Sequence, residues 1–167
     1  MVLYGTTHRV GDGVTTDLII APEQRGDDPA SLAAYCLAGV DPAIAEGARE
    51  GDILLAGRAF GAGDEPEMAV LALQALGFAA IVCASAVASF VEVAEIYGLP
   101  VLVCPDSAGI AAGSVMRLDL ARGLIADRAT GAVYQVAPCA PELVEAVRRA
   151  QLLTRMRRVV EEEGFDG

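Results

Sequence analysis

The chain contains no lysine, no asparagine and no tryptophan, and its single histidine is His8. Without lysine there is no side-chain amine for Schiff-base chemistry. One histidine excludes a multi-histidine metal site, and His8, in an expected first strand, reads as structural. Positive charge is scarce: all twelve basic residues are arginine, against 23 acids, for a net charge of −11. That balance argues against nucleic acid or an anionic membrane as partner. The four cysteines, Cys36, Cys83, Cys104 and Cys139, form no Cys-x-x-Cys pair. The chain alone therefore carries no zinc or iron–sulfur pattern, and buried free thiols are expected. No apolar run approaches the roughly 20 residues of a membrane-spanning helix. Met1 leads into a polar segment, which reads as no signal peptide and a cytoplasmic location.

Apolar residues and glycine are plentiful. At 167 residues, with 54% hydrophobic content and 18 glycines, one compact domain over 1–167 is expected. Ile53–Ala56, Ala80–Cys83 and Val101–Cys104 are short apolar runs without polar alternation. Such runs suit strands covered on both faces, as in a parallel sheet. Helix-length stretches separate them, giving a strand–helix–strand–helix–strand unit. Around it, Leu3–Arg9 reads as a strand and Pro22–Asp28 as a polar loop. Asp28-Pro29 and Asp41-Pro42 each read as a helix start, the second helix ending near Glu50. Ser85 is expected to cap a helix over Val87–Tyr97, with Phe90, Val93, Ala94 and Tyr97 on its core face. Val115–Leu120, Leu124–Asp127 and Ala132–Val136 read as strands, and Pro141 opens a long terminal helix rich in arginine.

Ligands gather at the loops that follow parallel strands, and the first of these is Phe60–Glu67. Gly61 and Gly63 permit a tight backbone there. Asp64 stands three residues before Glu67, a capping-box spacing, with Pro66 in the first helical turn. Phosphate binding does not suit this loop: Asp64, Glu65 and Glu67 are all acids, and neither Gly-Lys-Ser/Thr nor Gly-x-Gly-x-x-Gly occurs. Two readings stay open for the acids, plain helix capping and a functional carboxylate pair. Asp17, just before Leu18-Ile19-Ile20, is either a solvated cap or a site residue.

Several stretches together resemble one family. They are Gly11-Asp12…Thr16-Asp17-Leu18-Ile19-Ile20, then Gly51-Asp52-Ile53…Ala56-Gly57…Phe60-Gly61…Gly63…Glu67…Ala69. Ala72-Leu73…Ala75…Gly77 and Gly98-Leu99-Pro100…Cys104-Pro105 follow. The sequence is similar, over nearly its whole length, to the small subunit of 3-isopropylmalate dehydratase, the swivelling domain of the aconitase superfamily. The resemblance implies an α/β fold: a three-layer β/β/α swivelling domain with a mostly parallel central sheet. It implies a heteromeric hydro-lyase of leucine-biosynthesis-like chemistry, acting on a small hydroxy acid. It implies a separate large subunit that carries a [4Fe–4S] cluster, with none in this chain. A homo-oligomer is left open.

In the family, Phe-Gly-Cys-Gly is followed by Ser-Ser-Arg-Glu-His-Ala; the first serine is the base and the arginine holds a substrate carboxylate. Here the cysteine position is Ala62, the serines are Asp64 and Glu65, the arginine is Pro66 and the histidine is Met68; Glu67 agrees. The family's Arg-Tyr-Leu stretch appears as Glu23-Gln24-Arg25. The substitutions replace cation by proline or acid, so a dicarboxylate would meet repulsion where the family offers a guanidinium. If the chain serves catalysis, Asp64 is the expected base and Glu65 its companion. Gly61, Gly63, Glu67, Asp17 and Arg25 then form the substrate-binding set, with Glu65 or Arg25 orienting the substrate. The alternative is a non-catalytic swivel domain with a structural or regulatory role.

Overall fold

The structure, a computed structural model, describes residues 1–164. Seven strands form one curled sheet in the order β4-β3-β2-β1-β5-β6-β7. They are β1 (Val2–Arg9), β2 (Ile53–Ala56), β3 (Ala80–Cys83), β4 (Val101–Val103), β5 (Val115–Asp119), β6 (Leu124–Asp127) and β7 (Val133–Gln135). The expected apolar runs are the parallel part: β1 pairs with β2, β2 with β3 and β3 with β4, all parallel. β5, β6 and β7 continue the sheet in antiparallel pairing.

β1 joins the two parts by changing partner along its length. Val2–Thr6 pair with β5, whereas Thr7–Arg9 pair with β2. Successive strand side chains point to opposite faces, so a fully apolar strand feeds two cores. Leu54, Ala56, Ile81 and Cys83 pack on one side with residues of the helices, among them Leu73 and Phe90. Ile53, Leu55, Ala80 and Val82 pack on the other with Met116, Leu118 and Ile125 of the curled antiparallel part. Helices, parallel strands and antiparallel strands thus form the three layers of the β/β/α arrangement.

The helices are α1 (Thr16–Ile19), α2 (Pro29–Tyr35), α3 (Pro42–Gly47), α4 (Pro66–Leu76), α5 (Ala88–Ile96) and α6 (Pro141–Glu162). Asp28 and Asp41 cap α2 and α3 as expected, accepting from Ala30 N and Ala43 N, with proline in the first turn. α3 stops at Gly47 rather than near Glu50. The reason is Asp52, whose carboxylate accepts from Arg49 N and from His8 Nε2 at 2.7 Å, turning the chain into β2. His8 therefore has a structural partner. Ser85 does not cap α5: Val87 holds the cap position without a side-chain bond, and Ser85 Oγ accepts from Ala59 N instead. Phe90 and Ala94 are core as expected, but Tyr97 is exposed because it lies at the C-cap, one step past the helix face.

Candidate functional site

β2 ends at Ala56, and the chain then runs through Gly57–Glu65 into α4. This loop lies at the carboxyl end of the parallel strands, where open α/β folds place ligands. Backbone bonds fix it from both sides. Gly61 N donates to Val14 O at 2.8 Å, and Thr16 N donates to Ala62 O at 2.8 Å. Phe60 N donates to Ser85 O, Val87 N donates to Phe60 O, and Asp12 Oδ1 accepts from Arg58 N at 2.7 Å.

The two expected glycines are required by this pinning. Gly61 has φ +92°, and a Cβ there would lie 2.4 Å from the Phe90 ring. Gly63 has φ +128° and its Cβ would lie 2.3 Å from Thr16 Oγ1. Ala59 (φ 56°) and Glu65 (φ 52°) are also left-handed, without the freedom of glycine. Strain of this kind persists where surrounding structure over-determines the backbone, and functional loops are a frequent setting.

Glu65 shows what holds the strained geometry. Its carboxylate accepts from Arg25 Nη1 at 2.8 Å, while Arg25 Nη2 donates to Asp17 Oδ1 at 2.7 Å. Arg25 Nε donates to Ile20 O at 3.2 Å. The Arg25 side chain is only 9% exposed, whereas those of Asp17 and Glu65 are 64% and 56% exposed. One shielded guanidinium is thus clasped by two carboxylates from separate parts of the chain. Three of the residues singled out from sequence, Asp17, Arg25 and Glu65, meet here.

The capping-box expectation for Asp64 and Glu67 is not met. Glu65 occupies the cap position of α4, in left-handed geometry and without a side-chain cap bond. Its side chain is drawn to Arg25, and the turn through Gly63 carries Asp64 away from the helix amides. Asp64 is exposed, and its carboxylate makes no hydrogen bond among the described residues. Glu67 lies half-buried in the first turn of α4, where an acid favours the helix dipole. Arg25 itself lies just after a single 3-10 turn, Pro22–Gln24, inside the expected polar loop.

Thr16 enters the sequence reading only within the stretch Thr16–Ile20, without a role of its own. It is fully buried, and its Oγ1, directly beneath Gly63, has no partner. Arg9 was also missed. Its guanidinium donates to Ser107 O at 2.6 Å and to Ile110 O at 2.7 Å, fixing the loop after β4 near the same edge. Among the described residues no group of three or more His, Cys, Asp or Glu could hold a metal ion. Burial raises the thiols of Cys36 and Cys83 to about 12, and neither lies in this loop.

The layered sheet, with an acid-rich glycine loop at its carboxyl edge, defines an α/β domain of the swivelling type found in aconitase-like small subunits. Comparison with known proteins makes the assignment particular. The chain is 36% identical over 162 residues to the 3-isopropylmalate dehydratase small subunit of Moorella thermoacetica, covering 96% of this chain and 98% of that one. It is 34% identical to the corresponding subunit of Methanosarcina mazei, over 96% and 99% of the two chains. It is 37% identical to the methanogen homoaconitase small subunit of Methanocaldococcus jannaschii, over 72% of this chain and 71% of that one. A crystal structure of 3-isopropylmalate dehydratase from Methanocaldococcus jannaschii superimposes with a TM-score of 0.80 at 29% identity, covering 94% of this chain and 99% of that one. No family model matches the sequence. The chain belongs to the family of 3-isopropylmalate dehydratase small subunits.

Proposed function

We propose that this chain is the swivelling subunit of a heteromeric aconitase-type hydro-lyase that adds or removes water on a hydroxy acid less anionic than isopropylmalate. Membership of the family supports the reaction class. The observation that carries the substrate reading is the Asp17–Arg25–Glu65 clasp. A guanidinium binds a carboxylate strongly when its donors are free. Here both terminal nitrogens of Arg25 already donate to carboxylates. Asp64 and Glu67 add two acids to the stretch where the family carries its arginine, and this disfavours a second substrate carboxylate there, although the exposed Arg58 stands earlier in the same loop.

On this reading, which membership of the family supports, the [4Fe–4S] cluster is carried by a large subunit that closes over this edge. Lewis-acid activation of the substrate hydroxyl is then that subunit's contribution. This chain contributes proton transfer and orientation. Asp64, exposed at the loop tip, takes the substrate proton in place of the family's serine. Of the two candidates for orienting the substrate, Glu65 is the exposed one and Arg25 holds it in place, while Gly61 and Gly63 let the loop backbone approach it. The Asp64→Asn variant tests this directly. Once assembled with the large subunit, it should lose turnover by about 100-fold or more, with assembly and fold intact. Full activity in that variant would remove Asp64 as the base.

A further inference from the structure

The loop after β2 is fixed along one side before it reaches α4. Gly57 N donates to Gly11 O at 3.1 Å, Gly13 N to Arg58 O at 2.8 Å, Gly61 N to Val14 O and Thr16 N to Ala62 O. Arg58 N donates to Asp12 Oδ1 at 2.7 Å, and Ala59 N donates to Ser85 Oγ at 2.8 Å, across to the loop after β3. Both backbone polar groups of Arg58 are thus held, between the loops that follow β1 and β3. Ala59 beside it is left-handed, and Phe60 is fully buried. The Arg58 backbone is fixed, whereas its side chain is exposed and makes no hydrogen bond or ion pair among the described residues.

The loops that follow β1, β2, β3 and β4 are residues 10–15, 57–65, 84–87 and 104–114, and Arg58 is the one basic residue in them. The acids there are Asp12, Asp64, Glu65 and Asp106. Asp12 Oδ1 is taken by Arg58 N and Glu65 by Arg25, while Asp64 and Asp106 are exposed. Two further arginines serve this edge from outside the loops, and both are engaged. Arg9 donates to the carbonyls of Ser107 and Ile110, and Arg25 donates to Asp17 and Glu65. Arg58 is therefore the cation of these loops with its guanidinium open to a ligand.

We propose, on the hydro-lyase reading above, that Arg58 pairs with the carboxylate of the hydroxy acid and sets the specificity for one such group. A guanidinium with its fork free takes a carboxylate through two parallel hydrogen bonds. Spacing suits this role. Gly13 and Thr16, which hold Arg58 and Ala62, are three residues apart, no more than about 10 Å along the edge. Asp64 follows two residues after Ala62. An extended arginine and a four-carbon hydroxy acid together bridge that span. The carboxylate then lies at the Arg58 end and the proton to be moved at the Asp64 end. The pinned backbone presents the arginine in place before the ligand arrives, which lowers the cost of ordering it. A second carboxylate finds no second free cation in these loops and meets Asp64 instead.

Phenylglyoxal, which modifies accessible guanidinium groups, tests this on the complex with the large subunit, read peptide by peptide in a mass spectrometer. 3-Hydroxybutyrate should slow modification of Arg58 by about tenfold. The neutral amide of the same acid should not, nor should either compound protect Arg49, exposed ahead of β2 at the opposite edge. Equal modification of Arg58 with and without the acid would overturn the proposal. So would an Arg58 that is shielded by the large subunit whether or not the acid is present, because its partner is then an acid of that subunit. Turnover is read separately, on 3-hydroxybutyrate and its branched homologues. Arg58→Ala should raise KM about 30-fold with kcat within about threefold and Tm unchanged, and Arg58→Lys should regain part of the loss. An unchanged KM in Arg58→Ala would also overturn the proposal. Turnover without protection removes Arg58 and leaves the reaction class standing. Protection without turnover supports Arg58 as the carboxylate-binding residue and removes the reaction class.

Discussion

Arg25 sets the electrostatics of the loop edge because its two carboxylate partners are exposed while it is not. An exposed ion pair contributes about 0.2–1 kcal/mol, so the clasp adds little to folding and mainly determines which charges a ligand meets. This predicts a gain of specificity when the family's motif is restored. A variant with Asp64→Ser, Glu65→Ser and Pro66→Arg frees Arg25 Nη1, leaving Nη2 on Asp17, and adds a guanidinium. In the assembled enzyme it should raise turnover of a dicarboxylate relative to a monocarboxylate hydroxy acid by tenfold or more, one good charge-assisted pair. Unchanged selectivity would remove the clasp as its determinant. The cysteines give a separate residue-scale prediction. Burial raises the Cys36 and Cys83 thiols from 9.0 to about 12. Above pH 9 the unfolded chain loses these protons while the folded chain keeps them, so stability falls as pH rises from 9 towards 12. Iodoacetamide at pH 8 should leave both thiols unmodified in the native chain and alkylate both after denaturation, as read by mass spectrometry.

At the scale of elements, the junction between β2 and α4 is where backbone strain concentrates. Glu65 begins α4 in left-handed geometry that costs an L-residue about 1–2 kcal/mol. Glu65→Ala removes the pair with Arg25 and keeps the strain; Glu65→Gly removes both. The glycine variant should therefore be the more stable of the two by about 1 kcal/mol in urea unfolding. Equal stabilities would mean that the backbone relaxes when the pair is lost. The same junction marks what could be read in advance. β2, β3 and the Asp-capped helices were legible because apolar runs and Asp-Pro starts depend on neighbours in sequence. The capping of α4 and α5 was not. Glu65 answers to Arg25, 40 residues away, and Ser85 to Ala59, 26 residues away. Asp64 fits a capping-box spacing, but a left-handed residue after it breaks the geometry. Thr16 beneath Gly63 was hidden for the same reason: only the folded chain brings them together. The glycines were legible as turn formers, although the Phe90 ring that requires Gly61 was not.

At the scale of the molecule, β1 ties an antiparallel layer to a parallel one, and the loop edge remains accessible at the carboxyl ends of the strands. No helix of the described residues is long and apolar enough to cross a membrane. On the proposed reading the loop edge supplies proton-transfer and orienting groups, and among the described residues no group of three or more His, Cys, Asp or Glu could hold a metal ion. The account therefore rests on a second, larger chain. Purification from native cells under anaerobic conditions, with iron analysis and identification of what stays bound, tests this most directly. The account predicts a co-purifying large subunit with cluster iron and hydro-lyase activity that neither chain shows alone. An iron-free preparation containing this chain alone, with no hydro-lyase activity, would contradict it.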